Sequence, residues 1–198
     1  MLEEPPQKTL FLLVAEEQDE LLPTIVSRCQ KVKVGGLARN EDAETIVATI
    51  ISQNPAAGYI EKMQMAEAFY QVLSDWKTEI GDRIKEEEAE QAESEEYIRI
   101  NKEVLDARIE AEYKDKRTNL MRALAMWHRD IFFAISGVLD TDLFYYQDFL
   151  SFIRNTAENI GYQKAYQNIE LVEDMQYQMN LYISEQSVLQ RGFTDMSL

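Results

Sequence analysis

The sequence predicts a mainly α protein, in which one or two short strands precede a series of helices ending in an antiparallel bundle. Three observations carry this reading. Proline and glycine become sparse after Gly58, which leaves few helix breakers in the rest of the chain. From Thr118 onward, Leu120, Leu124, Trp127, Ile131 and Ile135 recur at the spacing of one helix face. Thr9 to Ala15, by contrast, is an almost unbroken apolar run too brief for a helix core, the pattern of a strand buried on both faces of a parallel sheet.

Composition narrows the function classes. The 198 residues carry 36 Asp and Glu against 20 Lys and Arg, a formal net charge of -16. Duplex DNA binding needs clustered cations to displace counterions, so most of this chain should not touch nucleic acid. An apolar share of 45% is enough to build a core. The single cysteine, Cys29, excludes an internal disulfide, a four-cysteine zinc site and a cysteine-pair redox motif, which fits a reducing cytoplasm. No signal peptide and no apolar run near the ~18 residues of a membrane span is present.

Taken in order, residues 1–36 hold the Thr9 to Ala15 strand and a second, edge-type strand at Gln30 to Val34, where Val32 and Val34 alternate with Lys31 and Lys33 before Gly35-Gly36. Pro5-Pro6 ends whatever helix came before. Residues 37–76 should form two short helices. Asn40 caps the first, acids fill its first turn, and Ile46, Val47, Ile50 and Ile51 form one apolar side; the second runs from about Ala56 to Trp76 through Met63, Ala66, Phe69, Tyr70 and Leu73.

Residues 77–117 are acidic, centred on Glu86 to Glu96. Acid-first pairs at i,i+4 (Glu79 with Arg83, Glu95 with Arg99, Glu110 with Lys114, Glu112 with Lys116) favour helix over disorder. The expectation is a solvated helix joining two packed regions and doubling back near Glu90; a disordered linker and a surface for a basic partner are the other readings. Residues 118–198 should be four amphipathic helices: one to Gly137, one capped by Asp140 or Thr141 and ending at Gly161, one from Tyr162 to Asn180, and a last one capped by Ser184.

The first stretch also carries a resemblance. Leu2-Glu3-Glu4-Pro5-Pro6, a hydrophobic strand, and then Leu21-Leu22-Pro23-Thr24-Ile25-Val26-Ser27-Arg28-Cys29-Gln30 resemble the second half of the ATPase domain of bacterial DNA polymerase III clamp-loader subunits, of the AAA+ class. That resemblance implies an AAA+ remnant over residues 1–36, a helical lid over 37–76, and a C-terminal collar over 118–198 through which five subunits form a ring. It also implies that Arg28 reaches across a subunit interface to ATP bound by the neighbour, where such arginine fingers are worth roughly 10³ to 10⁵ in rate. Ser27 and Cys29 would aim it.

Two kinds of subunit carry the triplet, the ATP-hydrolysing motor and the non-catalytic delta-prime stator. Val14-Ala15-Glu16-Glu17 stands where the motor has a Thr-rich nucleotide sensor, and Trp127-His128-Arg129-Asp130 resembles a motif of delta-prime collar domains, so the resemblance favours the stator. The implied partners are the other clamp-loader subunits, with the sliding clamp and primer-template DNA reached indirectly. No G-x-x-x-x-G-K-[ST] loop occurs, so no ATPase activity is expected of these residues alone and ATP enters only as the neighbour's ligand. In the family that loop lies upstream of the Leu2 to Pro6 motif, so the sequence is expected to start part-way through the ATPase domain.

Blander readings stand beside these. Arg28 could cap the short helix after Pro23 or pair with an acid. Trp127, Arg129 and Asp130 are expected at an oligomer interface, or in pairing within the bundle. His128 lacks the second His or Cys that a metal site needs, and the same isolation argues against a catalytic Cys29. A helical scaffold with no replication role would explain the acidic helix and the bundle, but not residues 1–34.

Overall fold

The computed structural model describes residues 13, 23–27, 29–30, 39–53, 58–91 and 102–198. The chain divides into two compact units, Met1–Ala38 and Arg39–Leu198. In the first, the described residues contain one short helix, α1 (Pro23–Val26). Both expected strands lie outside the described residues, apart from Leu13 and Gln30, which have no regular structure.

The second unit is helical throughout its described residues: α2 (Glu41–Ser52), α3 (Tyr59–Gln91), α4 (Lys102–Ile135), α5 (Leu150–Asn159), α6 (Tyr162–Asn180) and α7 (Glu185–Asp195), with two 3-10 turns at Thr141–Leu143 and Gln147–Phe149. The fold is therefore mainly α, as the periodicity predicts. Helix α4 is the axis of the unit, packing against α2, α3, α5 and α6, while α7 closes the far side against α3 and α6.

Local signals place the helix ends. The Asn40 side chain accepts the Ala43 amide at 2.9 Å, and Glu41, Asp42 and Glu44 sit in the first turn of α2, where the helix dipole favours negative charge. Helix α4 ends where Gly137 takes a φ of +77°, which lets the Val138 amide reach back to the Phe133 carbonyl at 3.1 Å. Ser184 caps α7 as expected, accepting the Ser187 amide.

Helix α3 runs well past the expected end at Trp76. Ile80 and Ile84 are fully buried in the polar-looking stretch, with Leu105 and Tyr113 of α4 buried as well. The reason is an antiparallel hairpin. Arg83 pairs with Glu112, and Arg108 with Glu87 at 2.7 Å; an advance along α3 matches a retreat along α4. Glu110 and Glu112, expected to pair along their own helix, pair across the hairpin instead. Glu110 meets Lys77 at 3.5 Å and Glu112 meets Arg83, while Lys116 lies 5.4 Å from the centre of the Trp76 ring. The expected boundaries at 76/77 and 117/118 thus fall inside continuous helices. Glu95 and Arg99 lie outside the described residues.

The first half of α3 also completes the bundle begun by residues 118–198. Met65, Ala66, Phe69 and Leu73 are buried, the Phe69 and Phe193 rings lie 5.1 Å apart, and Lys62 donates to the carbonyls of Thr194 (3.1 Å) and Met196. Burying one such aromatic side chain stabilises the fold by about 1.5–3 kcal/mol. At the other end of α7, Glu185 accepts from the Tyr113 hydroxyl and from Arg117 at 2.6 Å, and Arg117 also donates to Asn180 at 3.2 Å. These bonds satisfy the charged group of Arg117, a residue only 7% exposed.

Candidate functional site

The Ser27-Arg28-Cys29 triplet follows α1 directly. The Ser27 hydroxyl donates to the Thr24 carbonyl at 3.1 Å, and the Cys29 amide reaches the Val26 carbonyl at 3.4 Å, so both residues close the end of the helix. Both are exposed. Arg28 lies outside the described residues.

The second predicted cluster, Trp127 to Asp130, sits one turn before the end of α4. Trp127 is completely buried, with the Tyr146, Phe149 and Phe152 rings 4.9, 5.7 and 5.7 Å away. Asp130 is also completely buried. Its Oδ2 accepts the amides of Tyr145 (2.7 Å) and Tyr146 (2.8 Å), and its Oδ1 accepts from Arg129 Nη2 at 2.7 Å. Burial pushes the Asp130 carboxyl pKa up, against the pull of those amides and of Arg129. Arg129 donates onward to the Leu143 carbonyl at 3.0 Å and lies 4.9 Å from the centre of the Phe133 ring. With a quarter of its side chain exposed, it is the member of the cluster that reaches the surface.

This arrangement corrects one expectation. The helix foreseen from Asp140 begins only at Leu150, because residues 140–149 wrap over α4 as two 3-10 turns. A continuous helix would spend the Tyr145 and Tyr146 amides on its own carbonyls; here a buried carboxylate takes both. The Tyr146 hydroxyl completes the attachment by donating to the Ala123 carbonyl at 2.9 Å. His128 points elsewhere in the core, and burial alone lowers its pKa to about 4, so the ring is neutral.

Sequence reasoning missed the neighbour of this cluster. Arg39 donates to Glu44 (Nη2 to Oε2, 2.6 Å) and to the Tyr145 carbonyl at 3.0 Å, with its guanidinium 4.8 Å from the centre of the Tyr145 ring. Burial would raise the Glu44 carboxyl, but hydrogen bonds from Arg39 and Tyr145 outweigh it and hold the pKa below its usual value. The same burial, with Glu44 beside it, pushes the Tyr145 phenol up to about 12. The available signal was a basic residue just ahead of a strong N-cap, with an acid in the first helical turn. The Tyr145 backbone is thereby held at both ends, its amide by Asp130 and its carbonyl by Arg39.

An open cleft of about 450 Å³ lies beside this junction, between α2 and the 145–149 turn. Among the described residues no group of His, Cys, Asp and Glu could hold a metal ion, and no helix is long and apolar enough to cross a membrane. Within the Trp127 to Asp130 cluster the Asp130 carboxylate is fully engaged by the Tyr145 and Tyr146 amides and Arg129, which makes it a positioning group, whereas Trp127 Nε1 and both His128 ring nitrogens are buried without a hydrogen-bond partner.

Residues 1–38 match a family model described as DNA polymerase III, delta subunit. The match ends where the first compact unit ends, at Ala38, and it contains Ser27, Arg28 and Cys29. It points to the clamp-loader family of DNA polymerase III, and residues 39–198 lie outside it. No curated protein and no solved structure was found to match the chain.

Proposed function

We propose that this chain acts as a clamp-loader subunit in the delta-prime role, a non-catalytic member of a replication assembly that helps load the sliding clamp onto primed DNA. The observation that carries the reading is the family match over residues 1–38, with the Ser27-Arg28-Cys29 triplet inside it. In this reading Arg28 reaches ATP held by a neighbouring subunit and stabilises charge on the phosphoryl group as it transfers. Ser27 and Cys29, exposed at the end of α1, flank it.

Residues 118–198 serve as the collar, through which the subunit joins its neighbours in the cytoplasm, and residues 37–76 serve as the helical lid. Arg129 is the contact residue of the predicted interface, while Trp127 and Asp130 act from inside by holding the 143–146 turn beneath it. A net charge of -16 accords with DNA being reached through partners.

The test is reconstitution of the full-length protein with the other clamp-loader subunits of its own source. Arg28→Ala should leave assembly intact and lower DNA-stimulated ATP hydrolysis by about tenfold or more, and Arg28→Lys should rescue it poorly because it lacks the planar fork. Unchanged hydrolysis overturns the arginine finger. Failure of the wild-type chain to enter the assembly overturns the clamp-loader role itself.

A further inference from the structure

Helix α6 turns one face into the bundle through Ala165, Val172, Met175 and Met179, all buried. Its opposite face is unusual for a solvated surface. Tyr162, Tyr166, Glu170, Glu173, Tyr177 and Leu181 are all exposed, Tyr162 at 58% and Tyr177 at 62%. At the α-helical advance per residue these six fall within an arc of about 100° and run the whole length of the helix, roughly 28 Å. Two carboxylates at the middle of the stripe are therefore flanked by Tyr162 and Tyr166 on one side and by Tyr177 and Leu181 on the other. Phe132 of α4 extends its aromatic end, with its ring 4.8 Å from that of Tyr162. A groove of about 400 Å³ borders the other side, and Glu170, Asp174 and Asp195 line it around Leu171.

We infer that this stripe is a docking surface for a basic amphipathic helix of another protein. The partner's charge follows from the stripe's own: Glu170 and Glu173 on the face, with Asp174 and Asp195 in the groove, attract Lys and Arg, and exposed tyrosine rings offer the same cations their π faces. Its apolar side follows from Tyr162, Tyr166, Tyr177 and Leu181, which a purely hydrophilic ligand would leave wet. A second copy of this chain would set the same carboxylates against each other, and a nucleic acid would set its phosphates there. The length of the stripe matches a helix of about five turns lying alongside α6.

The probes are two labelled 19-residue peptides of equal composition and net positive charge. One presents Leu on one helical side flanked by Lys and Arg, and the other has the same residues shuffled so that no side forms. Fluorescence anisotropy with the full chain should show the amphipathic peptide binding about tenfold tighter than the shuffled one. Tyr166→Ala with Tyr177→Ala should abolish that difference, and so should Glu170→Lys with Glu173→Lys, whose exposed positions leave folding intact. Glu79→Lys with Glu86→Lys changes the net charge equally on the α3–α4 hairpin and should preserve the preference. Equal binding of the two peptides, or equal loss in the hairpin variant, would overturn the proposal by reducing the attraction to net charge.

Discussion

A β-carbon on Gly192 would stand 2.1 Å from Sδ of Met175 and 2.7 Å from its Cγ. Gly192 of α7 is buried, so it is the point at which α7 closes onto α6, and the missing side chain is what admits the methionine. Gly192→Ala gains helix propensity of about 1 kcal/mol but must displace Met175 within a packed core. The expected net result is a loss of about 1–2 kcal/mol, read as a lower urea midpoint. A Met175→Ala background should remove the clash, so that Gly192→Ala becomes neutral or stabilising there.

Asp130 holds two backbone amides that otherwise have no acceptor. Asp130→Ala leaves the amides of Tyr145 and Tyr146 and the Arg129 guanidinium without it, and should cost about 3–5 kcal/mol. Asp130→Asn keeps one acceptor oxygen and should cost less. Urea unfolding of both variants checks the order, and an alanine variant of wild-type stability would contradict the attachment of the 143–146 turn to α4.

Stability should fall as the pH is lowered through the range set by His128. Its unfolded pKa is near 6.5 and its folded value about 4, so below 6.5 the unfolded state binds a proton that the native state does not. Stability is complete above the unfolded value and drains as the pH drops toward the folded one, by about 3 kcal/mol over the window. Carboxylates such as Glu44, whose folded pKa is lowered, lose their share at lower pH, which the comparison must separate. His128→Leu should flatten the slope between pH 6.5 and 4.5 relative to the wild type. Equal slopes in the two proteins would show that the imidazole is reached by water.

Tyr182 stands after α6 with a φ of 60°, a left-handed conformation that costs a side-chain-bearing residue roughly 1–2 kcal/mol. The Tyr182 amide reaches the Met179 carbonyl at 3.2 Å, the closure that Gly137 makes at the end of α4. At 87% exposure, the ring contributes little burial. Tyr182→Gly should therefore raise stability by about 1 kcal/mol, seen as a higher melting temperature.

Helices α2, α6 and α7 were legible in the sequence because each carries its own signals. Asn40 and Ser184 cap from their own positions, and the buried face of α6 repeats at helical spacing between Gly161 and Asn180. The Trp127 to Asp130 cluster was legible as residues but not as an arrangement. Nothing in the local pattern says that Asp130 will capture amides fifteen and sixteen positions later, so the stretch from Asp140 read as one helix. Arg39 escaped for the same reason, since its most distant bond spans 106 positions.

What the sequence determined by itself was the mainly helical class, the limits of α2, α6 and α7, and the likeness of its first residues to a replication family. Capping, periodicity and short motifs act over a few neighbouring residues, and a single sequence displays them openly. The acidic stretch is expected from its sequence to double back near Glu90, but the tertiary structure alone decided which residues bridge its two helices, through Arg83 and Arg108, and that α3 joins the C-terminal bundle through Phe69 and Phe193. Those pairings bring together residues far apart in the chain. Isolated isoleucines at 80 and 84 among charges look solvated until a second helix covers them, because burial belongs to the pair of helices and not to either one.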